Sequence, residues 1–284
     1  MPRSDVRRLA GAVCMAGAAA LAGCGGGSDV DRALQSVNAI DDNDLSEVML
    51  SAADPDEAVR YFRRATTEKP DRIDLQRGLA TALVRAGKPT EAARRWARVA
   101  EMEGATHDDA VARADALIRA GRWDEAEAVL DAVPPTHETY RRYRLEAMVA
   151  DGNEEWGKAD HFYETALGLT TTPSSVLNNW GYSKLTRGAY GEAERLFGEA
   201  LAYDPDMFTA KNNLVLARGA QRSYQLPLVE ATQEERARLL YTMALAAVKN
   251  GDVAIGQAML RDAVDTHPRH FDEAMRALQA LETG

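Results

Sequence analysis

The sequence contains few cysteines and few aromatic residues. Its only cysteines in 284 residues are Cys14 and Cys24, and aromatic residues make up 6% of the chain. So few cysteines provide no disulfide framework, and a chain poor in aromatics is unlike a β-sandwich. Alanine, leucine, arginine and glutamate are abundant instead, and they favour closely packed helices. We therefore expect an all-α protein.

Acidic residues outnumber basic ones, with 44 aspartates and glutamates against 34 lysines and arginines. The formal net charge is -10, and it becomes -12 when residues 1–23, with three arginines and one aspartate, are removed. Such a surface repels a polyanion, and the sequence contains no basic stripe of the kind that releases phosphate counterions. We therefore expect no nucleic-acid partner and interpret most of the charge as solvated helix faces.

The chain begins with a short apolar run. Arg3, Arg7 and Arg8 form a charged start, and residues 9–23 are apolar and rich in alanine. This run is shorter than the roughly 20 apolar residues that cross a bilayer. The arrangement predicts a signal peptide over residues 1–23.

The end of that run predicts a lipid anchor. Residues 21–24, Leu-Ala-Gly-Cys, resemble the bacterial lipobox, which implies cleavage before Cys24 and acylation of its thiol. Two or three acyl chains hold a protein stably on a membrane. Residues 24–38 are then the lipidated cysteine and a flexible tether, because Gly-Gly-Gly-Ser follows directly. Gly25 is not the aspartate that commonly signals inner-membrane retention. The resemblance thus implies the periplasmic face of the outer membrane.

A three-position motif recurs along the chain. Its small residue stands at Ala58, Ala92, Ala126, Ala159 and Ala193, with spacings of 34, 34, 33 and 34 residues. A large residue follows four positions later, at Phe62, Trp96, Leu130, Tyr163 and Phe197. A further small or branched residue comes three positions on, at Ala65, Val99, Val133, Ala166 and Ala200. Positions i, i+4 and i+7 share one helix face, so the motif predicts a recurring packing face.

This period resembles the second helix of the tetratricopeptide repeat (TPR). The resemblance is strongest over residues 174–205, through Leu177, Trp180, Gly181, Gly188, Ala193, Phe197, Ala200 and Pro205. Gly181 and Ala193 allow two helices to approach closely, and Phe197 fills the space between them. The resemblance implies an all-α, TPR-type helical solenoid, a right-handed superhelix of antiparallel helix pairs.

The period also divides the chain into segments. These are TPR repeats one to five with the first helix of a sixth (39–219), an irregular connection (220–236), a further TPR repeat (237–270) and a C-terminal capping helix (271–284). Asp54 followed by Pro55 predicts that the second helix of repeat one begins near Pro55. The turn from Asp151 to Gly157 is predicted to be longer than its equivalents.

No pattern indicates catalysis. Residues 152–159 nearly form a phosphate-binding loop, but Ala159 replaces the serine or threonine and no strand precedes it. His267 and His270 lack an obvious third metal ligand. We therefore expect no catalytic residue, metal, cofactor or small-molecule substrate. A cell-wall enzyme is a remote alternative.

Paired asparagines repeat at the same period. Asn178 and Asn179 stand 34 residues before Asn212 and Asn213, at equivalent places on successive first helices, which line the concave face of such solenoids. They resemble the asparagine ladder with which some TPR proteins bind the backbone of an extended segment. Tyr182 would share that surface. Two interpretations remain open: a partner-binding concave face, or local hydrogen bonds between repeats.

A second resemblance concerns the C-terminal half. The stretch from residues 212–219 (Asn-Asn-Leu-Val-Leu-Ala-Arg-Gly) through residues 239–246 (Leu-Leu-Tyr-Thr-Met-Ala-Leu-Ala) resembles the TadD family of TPR lipoproteins in the tight-adherence (Flp, type IVc) pilus system. The resemblance implies a pilotin-like factor. Its partners would be the secretin, other pilus-assembly proteins and, through Cys24, the membrane. The alternatives are a type IVa pilus pilotin and a TPR lipoprotein of an outer-membrane assembly or polysaccharide-export complex.

Overall fold

A computed structural model describes residues 45–283, with the side chain of Thr283 excepted. The described residues belong to two units, one that ends at residue 52 and one that begins at residue 53. In the described part of the first unit, residues 45–51 are helical. The predicted signal peptide, Cys24 and the predicted tether lie outside the described residues. Within the described residues, no helix combines the length and the apolar character needed to cross a membrane.

The second unit consists of consecutive helices. They are α1 (Pro55–Glu68), α2 (Ile73–Arg85), α3 (Pro89–Val99), α4 (His107–Arg119), α5 (Trp123–Asp131), α6 (Tyr140–Gly152), α7 (Trp156–Gly168), α8 (Ser174–Thr186), α9 (Tyr190–Tyr203), α10 (Phe208–Ala220), α11 (Gln233–Lys249), α12 (Val253–Thr266) and α13 (Asp272–Thr283). Each helix packs mainly against its neighbours in the chain, as in a solenoid. The all-α prediction is confirmed.

The recurring motif forms the core of this unit. All five alanines of the first motif position are fully buried, and the large residues at the second position are at most 6% exposed. At the third position the residues are at most 3% exposed, except Ala65, which is half-buried. Burying apolar area at each repeat supplies the main driving force for stacking the helices. The predicted packing face is confirmed.

The turns inside the helix pairs are uniform, which corrects one prediction. Three residues separate α6 from α7, as they do α2 from α3, α4 from α5, α8 from α9 and α11 from α12. Each of these turns contains one residue with positive φ, at Gly87, Gly121, Glu154, Gly188 and Gly251. The turn from Asp151 to Gly157 is therefore not longer. Asp151 and Gly152 still belong to α6, and Glu154 takes the left-handed place that glycine occupies elsewhere.

The N-termini of two helices are fixed by local caps. The α1 helix begins at Pro55 as predicted, because the Asp54 side chain accepts hydrogen bonds from the backbone of the first turn. The irregular connection is shorter than the predicted residues 220–236. Here α10 continues through Ala220 and α11 begins at Gln233, where Thr232 and Glu235 form a capping box.

Candidate partner-binding groove

Two adjoining clefts run along the first helices of the later repeats. One, of about 410 Å³, lies among α6, α8 and α10, and the other, of about 550 Å³, among α8, α10 and α11. Both clefts contain Tyr182 and Thr186 in their walls. We call the two clefts together the asparagine groove. A concave, mostly uncharged surface of this kind suits an extended segment of another chain.

Two of the predicted asparagines bond to each other. Asn178 on α8 and Asn213 on α10 are 8% and 7% exposed, and Nδ2 of Asn213 donates to Oδ1 of Asn178 over 3.1 Å. Buried amides need such partners, because an unpaired one loses its hydration without compensation. This bond ties successive first helices together.

The other predicted residues differ in exposure. Asn179 is half-buried and its Nδ2 donates to Sδ of Met148 over 3.2 Å, which is a weak acceptor. Asn212 accepts a hydrogen bond of 2.7 Å from the Thr242 hydroxyl of α11. Tyr182 is 53% exposed, which is unusual for a large aromatic side chain in a cleft wall. The structure thus brings Asn178, Asn179, Asn213 and Tyr182 into one cleft, whereas Asn212 bonds across to α11.

Both interpretations of the asparagines find support in these contacts. The bonds from Asn213 to Asn178 and from Thr242 to Asn212 are local contacts between helices. Within residues 45–283, however, Nδ2 of Asn178 and Oδ1 of Asn213 bond to no other group. These two residues line the first cleft, whose wall therefore contains one amide donor and one amide acceptor without a partner among residues 45–283. Partner binding at these positions stays a prediction.

A half-buried carboxylate, Asp151, lies in the wall of the first cleft. Asp151 of α6 accepts hydrogen bonds from the Tyr163 hydroxyl over 2.9 Å and from the Ser183 hydroxyl over 2.6 Å. Burial raises the pKa of Asp151, and the two hydroxyl donors oppose that rise. Burial also raises the pKa of Tyr163 well above its usual value. The bonds from Tyr163 and Ser183 link α7 and α8 to α6 through one side chain.

A second carboxylate fixes α8 against α7. Asp160 accepts hydrogen bonds from Nε1 of Trp180 over 2.6 Å, from Lys184 over 3.2 Å and from Arg187. Burial by itself would raise the pKa of Asp160, but the bonds from Arg187, Trp180 and Lys184 together lower it. Trp180 also stacks on Tyr163 with ring centroids 6.1 Å apart. These contacts position the helix that contributes most of the groove.

Sequence reasoning missed the apolar part of the groove. Trp123, Tyr190 and Leu245 line the clefts and are 38%, 37% and 42% exposed. They stand on α5, α9 and α11, and only the packing of the helices brings them beside Tyr182. The sequence contained one signal, because Trp123 and Tyr190 occupy equivalent positions. Each is the first residue of a second helix and follows a three-residue turn.

The fold defines a class of protein, a helical-repeat scaffold. Models of the tetratricopeptide repeat match residues 49–105 and 86–149, and residues 178–226, which together are more than half of the chain. The chain belongs to the tetratricopeptide repeat family. The TPR resemblance is therefore confirmed. No curated protein matches the sequence significantly.

Solved structures show the same fold at low sequence identity. A chain of the APC/C hetero-tetramer Cut9–Hcn1 has a TM-score of 0.60 and 13% identity. The match covers 83% of this chain and 48% of the Cut9–Hcn1 chain. A tetratricopeptide repeat protein from Parabacteroides merdae has a TM-score of 0.56 and 13% identity, covering 84% and 96%. This chain thus spans about half of the Cut9–Hcn1 chain that it matches.

A third solved structure is more distant. The structure described as a functional characterization of Pseudomonas aeruginosa pilF has a TM-score of 0.43 and 17% identity, covering 59% of this chain and 79% of its own. At that level the similarity supports no argument about function. What the family does support is coarser: TPR proteins bind other proteins, and the fold is typical of non-enzymatic interaction scaffolds.

Proposed function

We propose that this chain is a lipid-anchored scaffold that binds an extended segment of a partner protein in the asparagine groove. By the resemblance to the TadD family, the proposed role is pilotin-like. The chain would help the secretin and neighbouring proteins of the Flp pilus machinery to assemble at the outer membrane. Cys24 would hold it on the periplasmic face.

The position of the two TadD-like segments is the observation that carries this proposal. Residues 212–219 lie in α10 and residues 239–246 lie in α11, and these helices pack against each other. Asn212 bonds to Thr242 across the contact, and a methyl group on Gly219 would lie 2.6 Å from Cβ of Ala246. Both segments contribute to the wall of the second cleft. The resemblance therefore falls on one continuous surface and is not scattered through the repeats.

The groove chemistry agrees with a protein ligand. Its amides match the donors and acceptors of an extended backbone, and its exposed aromatic residues match apolar side chains of the partner. Two charged side chains, Asp151 and Lys249, are among the residues that line it. A largely neutral segment is the ligand that such a surface favours.

The partner can be tested by a pull-down from envelope extract with residues 25–284 as bait. Tyr182→Ala combined with Asn179→Ala is the better groove variant, because neither side chain is fully buried and the sulfur contact of Asn179 is weak. Asn213→Ala is a poorer choice, since it breaks a buried bond. The control is Tyr203→Ala, which removes a 63% exposed tyrosine of α9.

We expect the parent and the Tyr203→Ala bait to recover a secretin and the groove variant to lose most of it. Equal recovery by all three would place binding outside the groove. A different assembly or export protein in place of the secretin would contradict the Flp role while leaving the groove intact.

The anchor needs a separate measurement in cells. We expect Cys24→Ala in the full chain to abolish incorporation of labelled fatty acid, and the parent chain to fractionate with the outer membrane. Unchanged labelling of the Cys24→Ala chain would contradict lipidation at this residue.

A further inference from the structure

Arginines are concentrated on α1 and α3, which are the second helices of the first two repeats. Arg60, Arg63 and Arg64 stand on α1, and Arg94, Arg95 and Arg98 stand on α3. Within each helix, the three arginines are adjacent or are three or four residues apart. They therefore lie on one side of the helix. The sequence shows no basic stripe, because acidic residues are interspersed and only packing places α1 beside α3. We call these six residues the arginine surface.

The charges on this surface are poorly neutralised. Arg63, Arg94, Arg95 and Arg98 line one cleft of about 400 Å³, together with a single carboxylate, Glu91. Glu91 lies 2.6 Å from Arg63. Burial lowers the pKa of Arg95, and the positive charges of Arg98 and Arg63 lower it further. Crowded like charges of this kind are stabilised when an anion enters between them.

Several of these arginines have no role in holding the fold together. Arg64, Arg94 and Arg98 are exposed and form no hydrogen bond or ion pair within the described part of the chain. Most other arginines of the second unit have a carboxylate partner, for example Arg77 with Asp109 and Arg187 with Asp160. The free guanidinium groups are therefore available to an external ligand.

The surface also contrasts with the rest of the protein. The chain has a net charge of -10, and the next second helix, α5, has four acidic residues and no basic one. At physiological ionic strength, exposed charges act over about 8 to 10 Å. An anionic ligand at α1 and α3 is thus largely screened from the distant acidic helices.

We propose that the arginine surface binds the phosphate headgroups of anionic phospholipids in the membrane that holds the protein. The membrane assignment rests on the lipid anchor of the proposed function, and α1 is the first helix of the second unit after Cys24. Guanidinium groups bind phosphate oxygens in paired hydrogen bonds, and a basic patch is a common second signal beside acyl chains. The arginines lie on second helices, so this contact leaves the asparagine groove on the first helices open.

The test is flotation of residues 25–284, which lack the acylated cysteine, with lipid vesicles. Residues 53–284 form a compact unit with its own core, so the bait keeps its fold without the anchor. We expect binding to vesicles of phosphatidylcholine and phosphatidylglycerol at low salt and none to phosphatidylcholine alone. In about 1 M NaCl, where the Debye length is about 3 Å, the binding should disappear.

Arginine variants assign the binding to this surface. Each surface arginine contributes about a fivefold increase in partitioning to an anionic bilayer. The triple variant Arg64→Gln, Arg94→Gln and Arg98→Gln should therefore bind roughly 100-fold more weakly. The matched control, Arg195→Gln with Arg236→Gln and Arg276→Gln, removes three exposed arginines elsewhere and should bind like the parent.

Three results would overturn the proposal. They are no flotation of the parent with anionic vesicles, equal flotation with phosphatidylcholine alone, and equal loss in the two triple variants. Binding of a polyglutamate peptide without vesicle binding would assign the surface to an acidic protein instead. Vesicle binding without fatty-acid labelling of Cys24 would keep the arginine surface and contradict the anchor.

Discussion

At the scale of single residues, the fold depends on large side chains that fill the space left by small ones. Phe197 is fully buried and contacts Gly181, and Phe62 contacts Gly78 in the same way. In both pairs the large residue is on a second helix and the glycine on a first helix. The Phe197 pair joins the two helices of one repeat, whereas the Phe62 pair joins α1 to the first helix of the next repeat. Sequence spacing predicted the Phe197 pair because both residues belong to the period.

The substitution Phe197→Ala tests how much the burial of this side chain stabilises the fold. We expect the free energy of unfolding to fall by about 3 to 5 kcal/mol, as for other fully buried phenylalanines. Urea unfolding is the measurement, with Tyr203→Ala in the same helix as the control, for which we expect a change within about 0.5 kcal/mol. A loss below about 1 kcal/mol for Phe197→Ala would contradict its place in the core.

Two glycines of the same repeat should respond in opposite directions to alanine. A Cβ at Gly181 would lie 2.7 Å from Cε1 of Phe197, whereas a Cβ at Gly198 on α9 meets nothing within 4 Å. We expect Gly181→Ala to destabilise the protein by about 1 to 3 kcal/mol through overpacking. Gly198→Ala should stabilise it by up to about 1 kcal/mol, because alanine favours a helix interior. Equal effects in urea unfolding would show that the close approach is absent.

At the scale of helices, ionic contacts fix the position of α8. Asp160 of α7 bonds to Trp180, Lys184 and Arg187, and its pKa is lowered. A folded pKa below the unfolded value of about 4 makes the ionised carboxylate stabilising. That contribution is present at neutral pH and is lost as the pH falls through the folded pKa.

Asp160→Asn should therefore destabilise the protein at neutral pH, and the difference from the parent should shrink as the pH falls below about 4. Urea unfolding of both proteins across this range is the measurement. Glu199→Gln, on the exposed side of α9, is the control and should show little difference at any pH. A difference between Asp160→Asn and the parent that does not vary with pH would contradict the ionic role.

The sequence predicted the helices better than their ends. The period located every second helix of the first five repeats, because each must bury the same face. It misjudged the turn after α6, because Glu154 adopts a positive φ without being a glycine. It also placed the start of α11 too late, although Thr232 and Glu235 carry a capping-box pattern that could have located it.

At the scale of the whole second unit, the groove was only partly predictable. Asn178 and Asn213 could be predicted as neighbours because their helices are equivalent, but not that their side chains bond to each other. Trp123 and Leu245 lie more than 120 residues apart in the sequence and line the two adjoining clefts. Their place depends on how successive repeats are packed, and the period alone does not specify this. The arginine surface was unpredictable for the same reason, because it depends on the packing of α1 beside α3.

Site-specific photocrosslinking in cells tests the central claim most directly, that a partner segment occupies the asparagine groove. A photoreactive phenylalanine analogue would replace Tyr182 in the full chain. A control chain would have it at Tyr203 on α9, which is 63% exposed against 53% for Tyr182. We expect a single protein adduct from position 182, identified by mass spectrometry as a secretin, and none from position 203. No adduct at position 182, or the same adduct from both positions, would contradict binding in the groove.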